Sequence, residues 1–398
     1  MRKKILFVIP DLGGNGASKS LINLLTILDK EKFEVDLLVF NLRGLFADMV
    51  PKGINIVEVP SPLKEYWYQI HLAIKELFKL GMFRLIYYRL KWKVMELFKL
   101  NPSIISQRNY LSIKTYLLKL EGHYHAAIGF LDFAPTYFII DKVKADIRIG
   151  WNHNDYRKLG PDISIEQNYI SKLDYIVTVS EECKVILEEA HPENANKIKI
   201  IQNIIEPKLI IQMAENKNPF FNNFEGKRIV TIGRLVEQKG IDITILACKK
   251  LVESGFDIRW YIIGDGPERR KLEGLIAENG LKNNIFLLGE VKNPYPFVKN
   301  CDIYVQSSRY EAYGIAIAEA KVLQKPIVVT NLNVFSEQLI NGKNGLIVNM
   351  SPEGIYNGIK LLLTNSSLSQ KFSKELAKEE IGNESELEKV YCMVNGVL

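Results

Sequence analysis

Short apolar runs rich in β-branched residues alternate along the chain with longer stretches whose apolar positions recur at helical spacing. The first series is KILFVI (4–9), EVDLLVF (34–40), INIVEV (54–59), HAAIGF (125–130) and DYIVTV (174–179). A second series is KRIVTIG (227–233), IRWYIIG (258–264), NIFLLG (284–289), DIYVQS (302–307), PIVVT (326–330) and GLIVN (345–349). Strands that alternate with helices in this way imply parallel sheets with helices on both faces.

The two series follow one plan. FVIPDLGGNGASKSLINLL opens the first as strand, glycine loop and amphipathic helix, and VTIGRLVEQKGIDITILACKKL opens the second in the same order. Between them ENKNPFFNNFEGK (215–227) is polar and turn-rich, and predicts a hinge region. The pattern therefore predicts two doubly wound, Rossmann-like α/β domains facing each other across a cleft. They occupy residues 1–205 and 206–384, with 385–398 a terminal helix that crosses back to the first domain. In such sheets ligands sit at the carboxyl ends of the strands, so chemistry is expected at the cleft.

Composition adds little until charge is mapped. The 398 residues are 47% hydrophobic and 25% charged, ordinary for a globular protein. The start, MRKKILFVIPDLGG, has the basic-then-apolar order of a signal peptide. Its apolar run covers only Ile5 to Pro10 and leads into Asp11 and a glycine loop, so it is expected to be a buried strand. No uncharged apolar stretch approaches the ~20 residues that span a bilayer. Cys183, Cys248, Cys301 and Cys392 are far apart and suggest neither a metal site nor a disulfide framework, which fits a reducing, cytoplasmic setting. The net charge of +6 is uneven: from Pro62 to Leu120 eleven cations face three anions, a net of +8, leaving −2 for the rest. Within that segment YQIHLAIKELFKLGMFRLIYYRLKWKVMELFKL (68–100) mixes Leu, Ile, Phe and Trp with Lys and Arg at roughly helical spacing. It is suited to docking on anionic lipid, or to packing on the first sheet with its lysines in water. No nucleic-acid motif accompanies it.

Four motifs carry candidate chemistry. TIGRLVEQKG (231–240) joins a strand to a helix, and brings Arg234 and Lys239 near a helix N-terminus where a diphosphate fits. The same residues also suit a solvated loop. IIGDGPERRKLEGLI (262–276) repeats the arrangement; Gly264 and Gly266 allow close backbone approach to a flat ligand, and Asp265 suits a cap. RYEAYG (309–314) connects DIYVQSS to GIAIAEAKVL, placing Glu311 in a loop and Glu319 inside the helix. A carboxylate on an apolar helical face needs a partner, either a ribose diol or a structural group. IGWNHNDYRKLG (149–160) ends a first-domain strand in a polar cluster around His153. GGNG lacks the third glycine of a dinucleotide fingerprint, and no P-loop is present.

GRLVEQKG, IIGDGPERRKLE, SSRYEAYGIAIAEA, KPIVVTN and NGLIV, in this order and spacing, resemble family 4 of the retaining, nucleotide-sugar-dependent glycosyltransferases, which have the GT-B fold. The resemblance covers the C-terminal half and, more loosely, GGNGASKSLINLL, WNHND and VTVSEE. It implies an N-terminal acceptor-binding domain and a C-terminal nucleotide-sugar-binding domain. Arg234 and Lys239 would hold the donor diphosphate, Glu319 the ribose, and Glu311 with the backbone of Ala312, Tyr313 and Gly314 the donor sugar. His153 would reach that sugar from the first domain, which makes Arg234, Lys239, Glu311 and His153 the implied catalytic set. Gly233, Gly264, Asp265, Gly266, Val291 and Ile315 complete the donor side, and Gly14, Gly16, Asn154 and Asp155 line the phosphate or acceptor side.

The resemblance has departures. The family often has Gly-Gly-Ala-Glu where this chain has Asn15, Gly16, Ala17 and Ser18. Ala312 and Tyr313 replace the usual Gly and Phe, and Gln324 stands where glycine is common. The expected reaction is transfer of a hexose or similar sugar from an NDP-sugar, a UDP-sugar in the first instance, to a lipid-linked or polysaccharide hydroxyl. Retention is expected, with no metal or cofactor required and no nucleic-acid partner. Because many relatives extend glycans carried on membrane lipids, the resemblance favours an anionic membrane surface as partner and a peripheral place on the inner face of the plasma membrane. A nucleotide-sugar epimerase of the same fold and a non-catalytic partner subunit are the alternatives.

Overall fold

A computed structural model describes residues 2–59, 61–98, 100–220 and 223–398. Phe221 and Asn222 of the polar stretch 215–227, and Lys99 of the basic segment, lie outside the described residues. The chain forms two compact units, one of residues up to Gln202 with Ser385–Leu398, the other Asn203–Glu384.

The first unit is built on seven parallel strands: β1 (Lys3–Asp11), β2 (Phe33–Asn41), β3 (Asn55–Val57), β4 (Tyr124–Gly129), β5 (Ala145–Trp151), β6 (Tyr175–Thr178) and β7 (Ile198–Ile200). Their spatial order is β3-β2-β1-β4-β5-β6-β7. β1 is an interior strand, with Ile5 paired to Val35 on one side and Ala126 on the other. Helices cover both faces, which is why Ile5 to Ile9 are all buried and the strand reads as an unbroken apolar run. β7 is too short for a pattern to announce.

The basic segment folds as the helices Leu63–Tyr66, Ile70–Lys79, Phe83–Leu97 and Pro102–Ile113. Leu63, Tyr66, Leu77, Leu85, Tyr110 and Ile113 enter one core with Leu6, Val8 and Leu38 of the sheet. The C-terminal helix Ser385–Val394 belongs to this unit. Tyr391 packs its ring on Phe33 at 5.2 Å and accepts the Asp29 amide at 3.0 Å, while Glu386 accepts the Gln202 amide at 2.9 Å. The chain therefore passes between the units twice, after Gln202 and after Glu384.

The second unit has six parallel strands: β8 (Lys227–Ile232), β9 (Ile258–Ile263), β10 (Ile285–Gly289), β11 (Ile303–Gln306), β12 (Ile327–Thr330) and β13 (Leu346–Val348). Their order is β10-β9-β8-β11-β12-β13. The chain runs outward from β8 through β9 to β10, then restarts at β11 on the other side of β8. That reversal leaves a crevice at the carboxyl ends of β8 and β11, the usual ligand position of an open parallel sheet. The first unit has the same switch between β1 and β4.

Candidate active-site residues

In the second unit, four neighbouring loops at the carboxyl edge carry the residues of interest. Val291 follows β10, Gly264, Asp265 and Gly266 follow β9, Gly233, Arg234 and Lys239 follow β8, and Glu311 to Gly314 follow β11. The β8 and β9 loops cross at backbone distance. A Cβ on Gly264, whose φ is +138°, would lie 2.1 Å from the Gly233 carbonyl oxygen, and the Leu235 amide donates to the Asp265 carbonyl at 3.0 Å. The strand–loop–helix order of the sequence thus becomes a stack of loops in which no side chain separates the backbones. Asp265 is engaged locally: its Oδ1 accepts the Gly266 amide at 2.7 Å, and Arg269 lies 3.5 Å from its Oδ2.

Lys239 and Glu311 meet across the switch point. The Lys239 ammonium donates to Glu311 Oε1, both side chains being largely withdrawn from water. A buried chain of hydrogen bonds stands behind the carboxylate. The Tyr304 hydroxyl donates to Gln306 Oε1 at 2.7 Å, Gln306 Nε2 to Ser308 Oγ at 2.9 Å, and Ser308 to Glu311 Oε1 at 2.8 Å. Glu311 is therefore held from the strand side and leaves Lys239 aimed along the loop edge. The lysine stem lies across Gly233, where an added Cβ would come within 3.2 Å of its methylenes. Arg234, beside it, is exposed and makes no ion pair among the described residues. The site so composed holds two cations, one pre-paired with a carboxylate and one free, an arrangement that suits a polyanion with hydroxyl groups attached.

A clamp that sequence reading missed fixes the two loops together. Arg309 grips Asp242 in a fork, at 2.8 and 2.6 Å, and donates to the Glu237 carbonyl at 2.8 Å. The Arg309 amide adds a bond to the Gln238 carbonyl at 2.7 Å. The hydrogen bond from Arg309 holds the Asp242 carboxyl below its ordinary value. Asp242 lies 67 positions from Arg309, and spacing gives no signal for such a pair. Gly240 sits in the same joint with φ +61°, and a Cβ there would lie 2.1 Å from the Ser307 carbonyl oxygen. Only glycine fits.

Glu311 and Glu319, though close in sequence, go to different places. Gly314, at φ +88°, opens the helix Ile315–Val322, and Glu319 is buried inside that helix. Its Oε1 accepts the Tyr295 hydroxyl at 2.9 Å. Burial, then the charge of Glu319, pushes the Tyr295 phenol well above its ordinary value. Glu319 thus has a structural partner, the Tyr295 hydroxyl, that the sequence did not name. Ala312 and Tyr313 are buried, and the Tyr313 carbonyl accepts from Gln338 Nε2. Ile315 is half-buried at the first helical position.

In the first unit the candidates follow β1 and β5. Gly14 precedes and Gly16 begins the helix Gly16–Ile27, whose cap Asn15 accepts the Ser18 amide at 2.9 Å. This local bond explains Asn15: it does the capping work at the loop's end. His153 is half-buried, with its ring 4.6 Å from that of Phe130 and stacked parallel to Trp151 at 5.9 Å. Asp155 is used as the cap of the short helix Tyr156–Leu159, accepting the Arg157 amide at 3.1 Å.

Asn154 donates to Asp132 Oδ2 at 2.6 Å, which ties the β5 loop to the β4 loop beside the switch point. Asp132 was not legible as a site residue; its only signal is a lone acid in the apolar run GFLDFAP after a strand. Removal from water pushes its carboxyl up to about 7. The next residue, Phe133, takes a left-handed φ of +64°. Deeper in the unit Glu166 accepts from Tyr137 and from Gln107 Nε2, and burial raises its carboxyl to about 7 as well. Asp132, Asn152, Tyr156 and Glu166 line one pocket.

Residues 212–379 match the family model described as glycosyl transferases group 1. This segment belongs to the group 1 glycosyl transferases. It contains the whole β8–β13 sheet with its loops, so the Lys239–Glu311 pair lies inside the group 1 module. An uncharacterized glycosyltransferase of Methanocaldococcus jannaschii is 32% identical over 170 residues, a stretch spanning 42% of this chain and 42% of that protein. Over 94% of this chain and 93% of its own length, a Campylobacter jejuni protein is 24% identical. That relative is the N-acetylgalactosamine-N,N'-diacetylbacillosaminyl-diphospho-undecaprenol 4-alpha-N-acetylgalactosaminyltransferase. Among solved structures, S. aureus TarM in complex with Fondaparinux, alpha-GlcNAc-glycerol and UDP superposes with a TM-score of 0.70 at 16% identity. The match covers 99% of this chain and 100% of that one, and shows the fold to be GT-B.

Proposed function

We propose that this protein transfers a sugar, with retention of configuration, from a UDP-sugar to a hydroxyl of a lipid-linked oligosaccharide or growing polysaccharide. The observation that carries the proposal is the Lys239–Glu311 pair at the β8/β11 switch point, with Arg234 exposed beside it. In this reading the donor diphosphate takes the ammonium of Lys239 and the guanidinium of Arg234 as counter-charges. Glu311, released in part from Lys239, accepts hydroxyl hydrogen bonds from the donor sugar, and Glu319 those of the ribose. As the glycosidic bond to the diphosphate breaks, negative charge grows on the leaving oxygen, and the two cations stabilise it where it develops. The leaving phosphate then takes the proton of the incoming hydroxyl on the same face of the sugar, which gives retention without a protein nucleophile. The UDP bound to TarM supports uridine as the base, and the undecaprenol-linked substrate in the name of the C. jejuni relative supports a lipid-linked acceptor.

The test begins with a panel of nucleotide-sugars screened for thermal stabilisation of the purified protein, followed by assay of the best binder with lipid-linked acceptors. Acceptor-dependent release of UDP, with the new anomeric centre matching the donor's, is the expected outcome. UDP release that ignores acceptor would instead identify an epimerase or hydrolase, and stabilisation by no nucleotide-sugar would leave a non-catalytic partner.

A further inference from the structure

The loop from Glu311 to Gly314 is braced by the segment that follows β12, and the brace acts on one peptide group. Gly314 holds φ +88° and ψ 54°. Glycine populates both signs of φ with little preference, so the peptide plane between Tyr313 and Gly314 can turn over with no Cβ on Gly314 to oppose it. The Tyr313 carbonyl and the Gly314 N–H lie in that one plane and point in opposite directions. Whatever fixes the carbonyl therefore fixes where the N–H is presented. Gly314 is half-buried, and its N–H makes no hydrogen bond within the chain among the described residues.

The carbonyl is fixed by Gln338, whose Nε2 donates to it. The other end of the same amide, Oε1, is buried and has no hydrogen-bond partner among the described residues. An amide buried with its acceptor unmet is placed for its donor, and turning it over would set two oxygens against each other. The Gln338 backbone is itself tied down: its carbonyl accepts Lys321 Nζ at 2.7 Å, and Lys321 pairs with Glu379 at 3.0 Å. Phe335, fully buried, sets its ring beside Gly314, where an added Cβ would come within 3.1 Å of it. The brace thus meets the loop twice, with a ring against the glycine and a donor on the preceding carbonyl. We infer that Gln338 is a positioning residue for the donor sugar. It holds the Tyr313–Gly314 peptide in the orientation that offers the Gly314 N–H to a sugar hydroxyl, and touches no part of the sugar itself. The inference rests on the reading above, in which Glu311 and its loop face the donor sugar.

Affinities for UDP and for UDP-sugars, measured side by side by calorimetry on the full chain, test this. The probe is whichever of UDP-glucose, UDP-galactose and UDP-N-acetylglucosamine the wild type binds most tightly, with UDP as the control that lacks the sugar. Gln338→Met keeps the length of the side chain and removes its donor. It should bind UDP within about twofold of the wild type and the UDP-sugar about three- to tenfold more weakly, the loss of one hydrogen bond. Gln338→Glu keeps the shape, has no donor when ionised, and should show the same sugar-selective loss. Ser336→Ala, at an exposed neighbouring site, should match the wild type on both ligands. Gln338 variants that bind both ligands as the wild type does overturn the inference and leave the transferase reading standing. Variants that lose UDP and UDP-sugar alike make Gln338 a packing residue, which also overturns it. A wild type that binds neither UDP nor any of these UDP-sugars removes the UDP-sugar reading, and the inference with it.

Discussion

Replacing Lys239 by methionine separates its structural work from its chemical work. In the wild type its ammonium neutralises Glu311, whose side chain is 8% exposed, while that of Lys239 is 18% exposed. Methionine keeps most of the stem that lies over Gly233 but leaves Glu311 with Ser308 as its remaining side-chain donor. Removing one partner of a fully buried pair costs about 3–5 kcal/mol. The partial exposure of the lysine and the surviving Ser308 bond bring the expected loss to about 2–3 kcal/mol. For a unit of this size that is a fall in thermal midpoint of about 4–12 °C. The double variant Lys239→Met, Glu311→Gln buries no charge and should return to within about 1 kcal/mol of the wild type. Transfer should not return: both variants should turn over roughly 10²–10³-fold more slowly, since the leaving diphosphate has lost a counter-charge. Thermal unfolding at neutral pH and UDP release, run side by side, give the two readouts. A single variant as stable as the wild type would show that the pair is not desolvated. A double variant with wild-type turnover would refute the role of Lys239 at the diphosphate.

Asp132 and Glu166 make stability fall with pH, opposite to the usual carboxylate behaviour. Each is raised to about 7 by burial, so between about pH 4 and pH 7 the folded chain holds protons that the unfolded chain has released, and stability declines across that window. Urea unfolding of Asp132→Asn and of Glu166→Gln should show a smaller decline there than the wild type; an unchanged slope in both would contradict the assignment. Gln324 adopts a φ of +55°, the left-handed region, where the resembling family commonly has glycine. Gln324→Gly should therefore raise stability by about 0.5–1 kcal/mol, measured as the urea midpoint, and a loss of that size would show that the glutamine's contacts outweigh its backbone strain.

What the sequence by itself determined were features that recur at short range. Strand–helix alternation gave two parallel α/β units, because a strand buried on both faces must be apolar throughout. The glycine turns announced which loops lie at the carboxyl ends, since those backbones must cross with no side chain between them, as Gly264 does over Gly233. The pairing of residues across loops was decided only by the tertiary structure. Lys239 and Glu311 are 72 positions apart, Arg309 and Asp242 67, and each pair meets because β8 and β11 are neighbours in the sheet though two strands lie between them in the chain. The same holds for burial. Asp132 is one acid in an apolar run until packing removes its water, and the helix Phe83–Leu97 is a mixture of apolar and basic residues until the core takes one side and leaves the other bare. Local pattern fixes which residues must be hidden somewhere. The order of strands fixes which of them share a site, and which remain outside.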